Sequence, residues 1–185
     1  MKVLVYITNI IQLILSPGSG WEDVSGSAVD RAMALRQYMF CLFGLTAVSI
    51  LAELFHSGDA SFALTFIKSV GVFASLFVTY FIAREVFVAF LPGMLDTEFS
   101  VVKSEAVISY TLSILAIIMI VFNLLPERLA LYYITPVLVA LIFWKADAYL
   151  GVSKDKNWHF VLLGIFGLIL PPILIQELFG CFLIK

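Results

Sequence analysis

Charge is what this chain has least of. Only 13% of its 185 residues are Asp, Glu, Lys or Arg, about half the share that wets the surface of an ordinary soluble domain. The few charges nearly balance, 11 basic against 13 acidic for a net of −2, so there is no basic stripe and nucleic-acid binding is not expected. Cysteine is scarce too. Cys41 and Cys181 stand at the start of the first apolar stretch and the end of the last, and an odd number of membrane crossings puts them in opposite leaflets, too far apart for a disulfide. Both read as small apolar packing residues. The two histidines, His56 and His159, fall at opposite interfaces and read as wet imidazoles. There is no His-Glu-x-x-His, no Gly-x-Ser-x-Gly and no glycine-rich phosphate loop. No catalytic residue, cofactor or metal site is therefore expected.

What the chain has in abundance is apolar length. Hydrophobic residues make up 62% of it and the mean hydropathy is +1.07. Five apolar stretches, over residues 38–55, 62–91, 106–125, 129–150 and 158–182, each approach or exceed the ~20 residues that a helix needs to cross hydrocarbon. Transmembrane strands are excluded because the stretches lack the apolar/polar alternation of a barrel. The expected fold is an all-α integral membrane protein. Residues 36–185 form a bundle of five transmembrane helices, and residues 1–35 an amphipathic interfacial segment on the cytoplasmic face.

Orientation follows from the basic residues. Lys2, Arg31, Arg36, Arg84, Lys103, Lys145, Lys154 and Lys156 fall on one side, against Lys68, Arg128 and Lys185 on the other. The richer side is the cytoplasmic one. The N-terminus is thus expected inside and the C-terminus on the opposite side. Trp21, Trp144 and Trp158 belong to the same inner side, while Tyr132 and Tyr133 mark the outer interface.

The head invites two readings. Its apolar run after Lys2 resembles a signal peptide, but Thr8, Asn9 and Gln12 interrupt it and no Ala-x-Ala-like site follows. At ~100° per residue, Lys2, Asn9, Gln12 and Ser16 share one sector of a helix whose remainder is apolar. This is the pattern of a helix lying in the interface, which is the preferred reading. Pro17-Gly18 ends it, and Ser19 with Glu22 three residues on reads as a capping box opening a second short helix.

Ionisable side chains inside hydrocarbon cost ~3 kcal/mol or more and tend to have partners. Folding the first two spans about the turn near residue 60 brings Glu53 and Lys68 to one depth, and Glu177 in the last span lies at a similar level. These three form a candidate polar cluster in the outer leaflet. The alternative is that they snorkel to the headgroups or make one structural pair. On the inner side, Arg84 and Glu85, and Lys145 and Asp147, sit near span ends. Neighbours at i,i+1 and i,i+2 do not face each other on a helix, so any pairing is expected between helices. Pro171 and Pro172 fall within the last span and force a kink, preceded by Gly164 and Gly167, which suit close helix packing.

The chain resembles the prokaryotic branch of the Ypt-interacting-protein (YIP) superfamily. Leu13-Ile14-Leu15-Ser16-Pro17 followed by Trp21-Glu22 is similar to that family's entry into its first span. Ala106-Val107-Ile108-Ser109-Tyr110, closed by Leu125-Pro126, is similar to its middle section, and Leu150-Gly151-Val152-Ser153-Lys154-Asp155-Lys156 to the charged turn before its last span. The resemblance implies five spans and an inward N-terminus. Eukaryotic members associate with Rab GTPases and with one another, but this chain lacks their Asp-Leu-Tyr-Gly-Pro stretch, so Rab binding is not carried over.

Two functions fit. One is a non-enzymatic membrane protein that acts by binding the bilayer and a membrane-protein partner or another copy of itself. The other is a small transporter or channel component built on Glu53, Lys68, Glu177 and the broken last helix. A lipid-modifying enzyme would need a catalytic group near the headgroups, and His56 and His159 lack obvious companions. Tags fused to either end test the topology directly. An N-terminal tag is expected to stay shielded from protease added outside intact cells, and a C-terminal tag to be cleaved.

Overall fold

The computed structural model describes residues 2–26, 32–56, 61–125 and 135–183. Arg31, Arg128, Tyr132, Tyr133 and Lys185 lie outside them, as do residues 129–134 of the fourth expected span. Every regular element among the described residues is helical, the one β feature being an isolated bridge between Leu95 and Val152. In chain order the helices are α1 (Lys2–Leu15), α2 (Pro17–Gly26), α3 (Ala32–Ser49), α4 (Glu53–His56), α5 (Phe62–Phe90), α6 (Val101–Leu124), α7 (Thr135–Leu150), α8 (Asn157–Leu168) and α9 (Leu170–Leu183). A single 3₁₀ turn, Ile50–Ala52, joins α3 to α4. Four segments are long and apolar enough to cross a membrane: Leu35–Phe55, Phe62–Met94, Val101–Leu124 and Lys154–Cys181. α7, described from Thr135, is a 16-residue apolar helix between the last two of these.

Helix α6 is the centre. It packs most extensively on α3 and also touches α1, α5, α7 and α8. Residues 104–116 are all buried, as expected of a helix enclosed on every side. Apolar side chains do not drive association between helices in lipid, because lipid is as apolar as they are. Close packing and internal hydrogen bonds must hold such a bundle together. Thr46 Oγ1 donates to Ala116 O across α3 and α6 at 3.2 Å, Ser69 Oγ to Ala47 O across α5 and α3 at 2.6 Å, and Asn123 Nδ2 to Ser49 Oγ at 2.9 Å. Cys41 and Cys181 are both free and exposed, so neither is the buried packing residue that composition suggested. Their positions are on outer helix faces.

The head is not laid out as its polarity pattern predicts. α1 and α2 form a tight hairpin in which a Cβ on Gly20 would lie 2.9 Å from the Leu13 backbone nitrogen. Pro17 opens α2 directly after Ser16, where its missing N–H costs nothing. Ser19 therefore lies inside the first turn of α2 instead of capping it, and its hydroxyl donates to Ser16 Oγ at 2.8 Å. α1 turns Tyr6, Asn9, Ile10 and Leu13 inward and leaves Val3, Leu4, Ile7, Ile11 and Leu15 exposed. Asn9 Nδ2 donates to Tyr110 Oη at 3.0 Å, and the Tyr6 hydroxyl is hydrogen-bonded to Ser113. Part of the polar sector thus faces protein, and the exposed face is apolar.

At the end of the bundle shared by the termini of α5 and α7, two connections lock together. Asp96 N donates to Gly151 O and Ser153 N to Met94 O, each at 2.9 Å, and Lys156 Nζ reaches Gly93 O at 2.6 Å. Gly151 ends α7 at φ +77°, with its N–H and that of Val152 both returning to Asp147 O. Asp147, expected as a solvated helix end, is half-buried and accepts from Asn157 Nδ2 at 2.9 Å.

Two glycines of α8 differ in what they permit. A Cβ on Gly164 would stand 2.5 Å from Cδ1 of Phe143, a fully buried ring wedged against Phe87 and Phe160. A Cβ on Gly167 would meet the Phe87 ring at an ordinary 3.7 Å. Gly164→Ala is expected to destabilise the protein by about 1–3 kcal/mol, because the ring has nowhere to move. Gly167→Ala should leave stability nearly unchanged. Thermal unfolding of both variants in detergent checks the contrast.

Candidate functional site

Charged side chains gather at both ends of the bundle. At one end, Glu53 on α4 and Lys68 on α5 meet as predicted, with Lys68 Nζ 3.1 and 3.3 Å from the two carboxylate oxygens. Both side chains are partly exposed, so the pair has the modest strength of an accessible ion pair. Glu177 does not join them. It lies on α9 and lines a separate cleft of about 160 Å³.

That cleft runs between α5, α6, α7 and the α8–α9 junction. Its walls are largely apolar, with Leu76, Leu115, Phe122 and Pro172 among them, and Thr135, Gln176 and Glu177 supply its polar groups. Gln176 Nε2 donates to Ser75 Oγ on α5 at 3.3 Å. The interruption in the last span lies at Ile169, between α8 and α9. Pro171 and Pro172 occupy the first turn of α9, where proline is tolerated and where neither can donate back to the preceding turn. Pro172 thus forms part of one wall of the cleft, and Pro171, Glu53 and Lys68 do not line it.

The opposite end holds a cluster that the span boundaries concealed. Glu105, near the start of α6, is buried and is gripped from two sides. Arg84 Nε on α5 lies 3.1 Å from its Oε1, and Arg36 Nη2 on α3 lies 3.5 Å from its Oε2. About 17 residues separate Arg36 from Glu53 along α3 and α4, a rise of roughly 25 Å, so the two charge clusters are far apart. The Arg84 partnership is between helices, as expected. Arg84 Nη1 also meets Glu85 Oε1 at 3.2 Å, correcting the expectation for adjacent residues. Both side chains are long and extend far enough from the backbone to fold round and meet near the helix surface. Beside the cluster stands Tyr80, whose ring is packed against Phe40 and Phe81. The Arg36 guanidinium lies beside the buried Tyr80 hydroxyl, yet neither that hydroxyl nor the buried Nε of Arg36 makes a well-formed hydrogen bond among the described residues.

Sequence reading missed Glu105 and treated Arg36 as a loop charge because the apolar stretches begin at residues 106 and 38. The helices themselves start earlier, at Val101 and Ala32, which places both charges one turn or so inside. An aromatic cluster completes this end. Trp21 Nε1 donates to Ile142 O at 3.1 Å, its ring stacks on Tyr149 at 5.2 Å, and Lys103 Nζ lies 5.6 Å over the far-reaching Tyr149 ring. Among the described residues, no group of three or more His, Cys, Asp or Glu side chains is placed to hold a metal ion. His159 is exposed at the start of α8.

The fold thus defines an all-helical bundle with four helices of membrane-crossing length and composition. Comparison with known proteins finds no family model, no curated protein and no solved structure that matches the chain.

Removing one partner of a buried ion pair leaves the other desolvated and unmatched. Arg84→Ala is expected to destabilise the protein by about 1–3 kcal/mol because buried Glu105 is left with only the looser Arg36 contact, with that contact and the half-exposed position of Arg84 holding the cost in this range. Arg84→Ala combined with Glu105→Leu should recover much of the loss. Glu53→Gln, by contrast, should cost less than ~1 kcal/mol. Thermal unfolding in detergent of the three variants measures all these outcomes.

Proposed function

We propose that the chain is a non-enzymatic integral membrane protein of the YIP type that acts by binding a membrane-protein partner or organising the bilayer. The observation that carries this reading is its exposed apolar surface. α5 presents Phe62, Phe66, Val70, Phe73, Phe77 and Phe81 outward, and α1 presents Val3, Leu4, Ile7, Ile11 and Leu15. Contiguous apolar surface of this extent is unfavourable in water and needs lipid or protein to cover it. In this reading α7 is the fourth of five crossings, and the hairpin of α1 and α2 is embedded beside α6 and α7, its outer face against acyl chains. In this reading the end that holds Arg84 and Lys156, the one richer in basic residues, faces the cytoplasm. The partner is a second membrane protein or another copy of this chain.

A second reading, a small transporter or channel component, is favoured by the cleft beside the interrupted last helix, since broken helices and midplane polar groups line many transport paths. Its polar element is then Glu177 with Gln176, and the Glu53–Lys68 pair lies apart from it.

Reconstitution in liposomes separates the two. The binding reading expects no ion or solute leak above that of protein-free vesicles, and cross-linking in native membranes is expected to capture a discrete partner or a dimer. A leak abolished by Glu177→Gln, in protein that still assembles normally, would replace it with the transporter reading.

A further inference from the structure

The Arg36–Glu105–Arg84 cluster has more donors than it can use. Two guanidiniums offer ten N–H groups between them, counted from five on each, and the Tyr80 hydroxyl adds another. Among the described residues, the carboxylate acceptors of the cluster are the two oxygens of Glu105, with exposed Glu85 engaging Arg84 Nη1. Arg36 touches Glu105 loosely, at 3.5 Å through Nη2 alone, while its buried Nε and the buried Tyr80 hydroxyl, which lies beside the guanidinium, make no well-formed hydrogen bond among the described residues. Charge shows the same imbalance. Two cations face one buried carboxylate, leaving a surplus of one positive charge before Glu85 is counted, and Glu85 is 72% exposed and therefore screened by solvent. Both arginine side chains are about two-fifths exposed, 41% for Arg36 and 40% for Arg84, so their outward N–H edges can be reached from outside the bundle.

We propose that Arg36 and Arg84, held apart by Glu105, form a binding site for a phosphate group, carried either by a lipid headgroup or by a free phosphate. The missing component is an anionic acceptor with several oxygens, and the planar guanidinium fork matches phosphate in a bidentate geometry. Glu105 sets the spacing by holding one edge of each arginine, which leaves the other edges for the ligand. The cluster lies at the end of the bundle that also carries Lys103, Trp144 and Trp158, the residue types that collect at headgroup level. The lipid source rests on the membrane reading above, whereas the phosphate chemistry does not.

Protein purified in a maltoside detergent, which carries no phosphate, supplies the test. Its thermal unfolding and binding are measured with short-chain phosphatidylglycerol, with inorganic phosphate, and with diacylglycerol of the same chain length. Phosphatidylglycerol is expected to raise the unfolding temperature of the wild type and diacylglycerol to leave it unchanged. Arg36→Gln and Arg84→Gln should each weaken phosphatidylglycerol binding about tenfold or more, the loss of a charge-assisted contact. Glu105→Gln should bind more tightly than wild type although it is less stable, a divergence that a merely structural triad would not produce. Arg36→Lys keeps the charge without the fork and should bind with intermediate affinity, giving a readout should the glutamine variant fold poorly. Stabilisation by inorganic phosphate equal to that by the lipid identifies free phosphate as the ligand and sustains the site while removing the lipid source. Equal stabilisation by diacylglycerol, wild-type affinity in both arginine variants, or no binding of either phosphate compound overturns the proposal.

Discussion

A helix with no outer face has to find every polar partner among its neighbours, and α6 is such a helix. Residues 104–116 are buried without a break, and among them Ser109, Tyr110, Thr111 and Ser113 carry hydroxyls into the centre of the bundle. With water not at hand, Tyr110 and Ser113 are met by Asn9 and Tyr6 of α1, Ser113 also donates to Ser109 O within α6, and Thr111 Oγ1 has no partner among the described residues. The positions of Tyr6 and Asn9 on α1 and of Arg36 and Arg84 around Glu105 follow from that constraint. Where lipid removes the hydrophobic incentive for helices to associate, such contacts and the close approach at Gly164 carry the specificity of packing.

The same constraint explains why the head folds inward. A polar sector on a short helix faces water only when nothing better is offered. Tyr110 and Ser113 offer hydroxyls of matching chemistry, and α1 delivers Asn9 and Tyr6 to them, keeping its apolar side for the exterior. The hairpin turn at Ser16 and the small Gly20 allow α2 to fold back against α1 closely enough for Trp21 to reach α7. One amphipathic pattern is thus compatible with two opposite placements, and the choice is made by residues about a hundred positions away.

The two ends of the bundle differ in how their charges are arranged, and this bears on what each can do. Glu53 and Lys68 neutralise one another one-to-one across a helical hairpin, an arrangement that ties two helices and leaves little for a ligand. At the other end two cations converge on one buried anion, an arrangement that ties three helices and leaves capacity unused. The cleft beside Pro172 is different again, an apolar space with its carboxylate at Glu177. Two separate features, the Glu53–Lys68 pair and the cleft that holds Glu177, thus stand where a single outer-leaflet cluster was expected.

Helical class, the long apolar segments and the Glu53–Lys68 contact were all legible in the residue order, because each depends on local composition or on the register of two helices joined by a short turn. The interruption of the last span was legible within about two residues, since proline cannot donate to the preceding turn wherever it stands. The burial of Asn9, the convergence of Arg36 and Arg84 on Glu105, and the separation of Glu177 from Glu53 were not. Each depends on which helices become neighbours and on how each is rotated about its axis. Apolar periodicity is silent on rotation when a helix is oily on nearly every side, and so only the assembled bundle decides it.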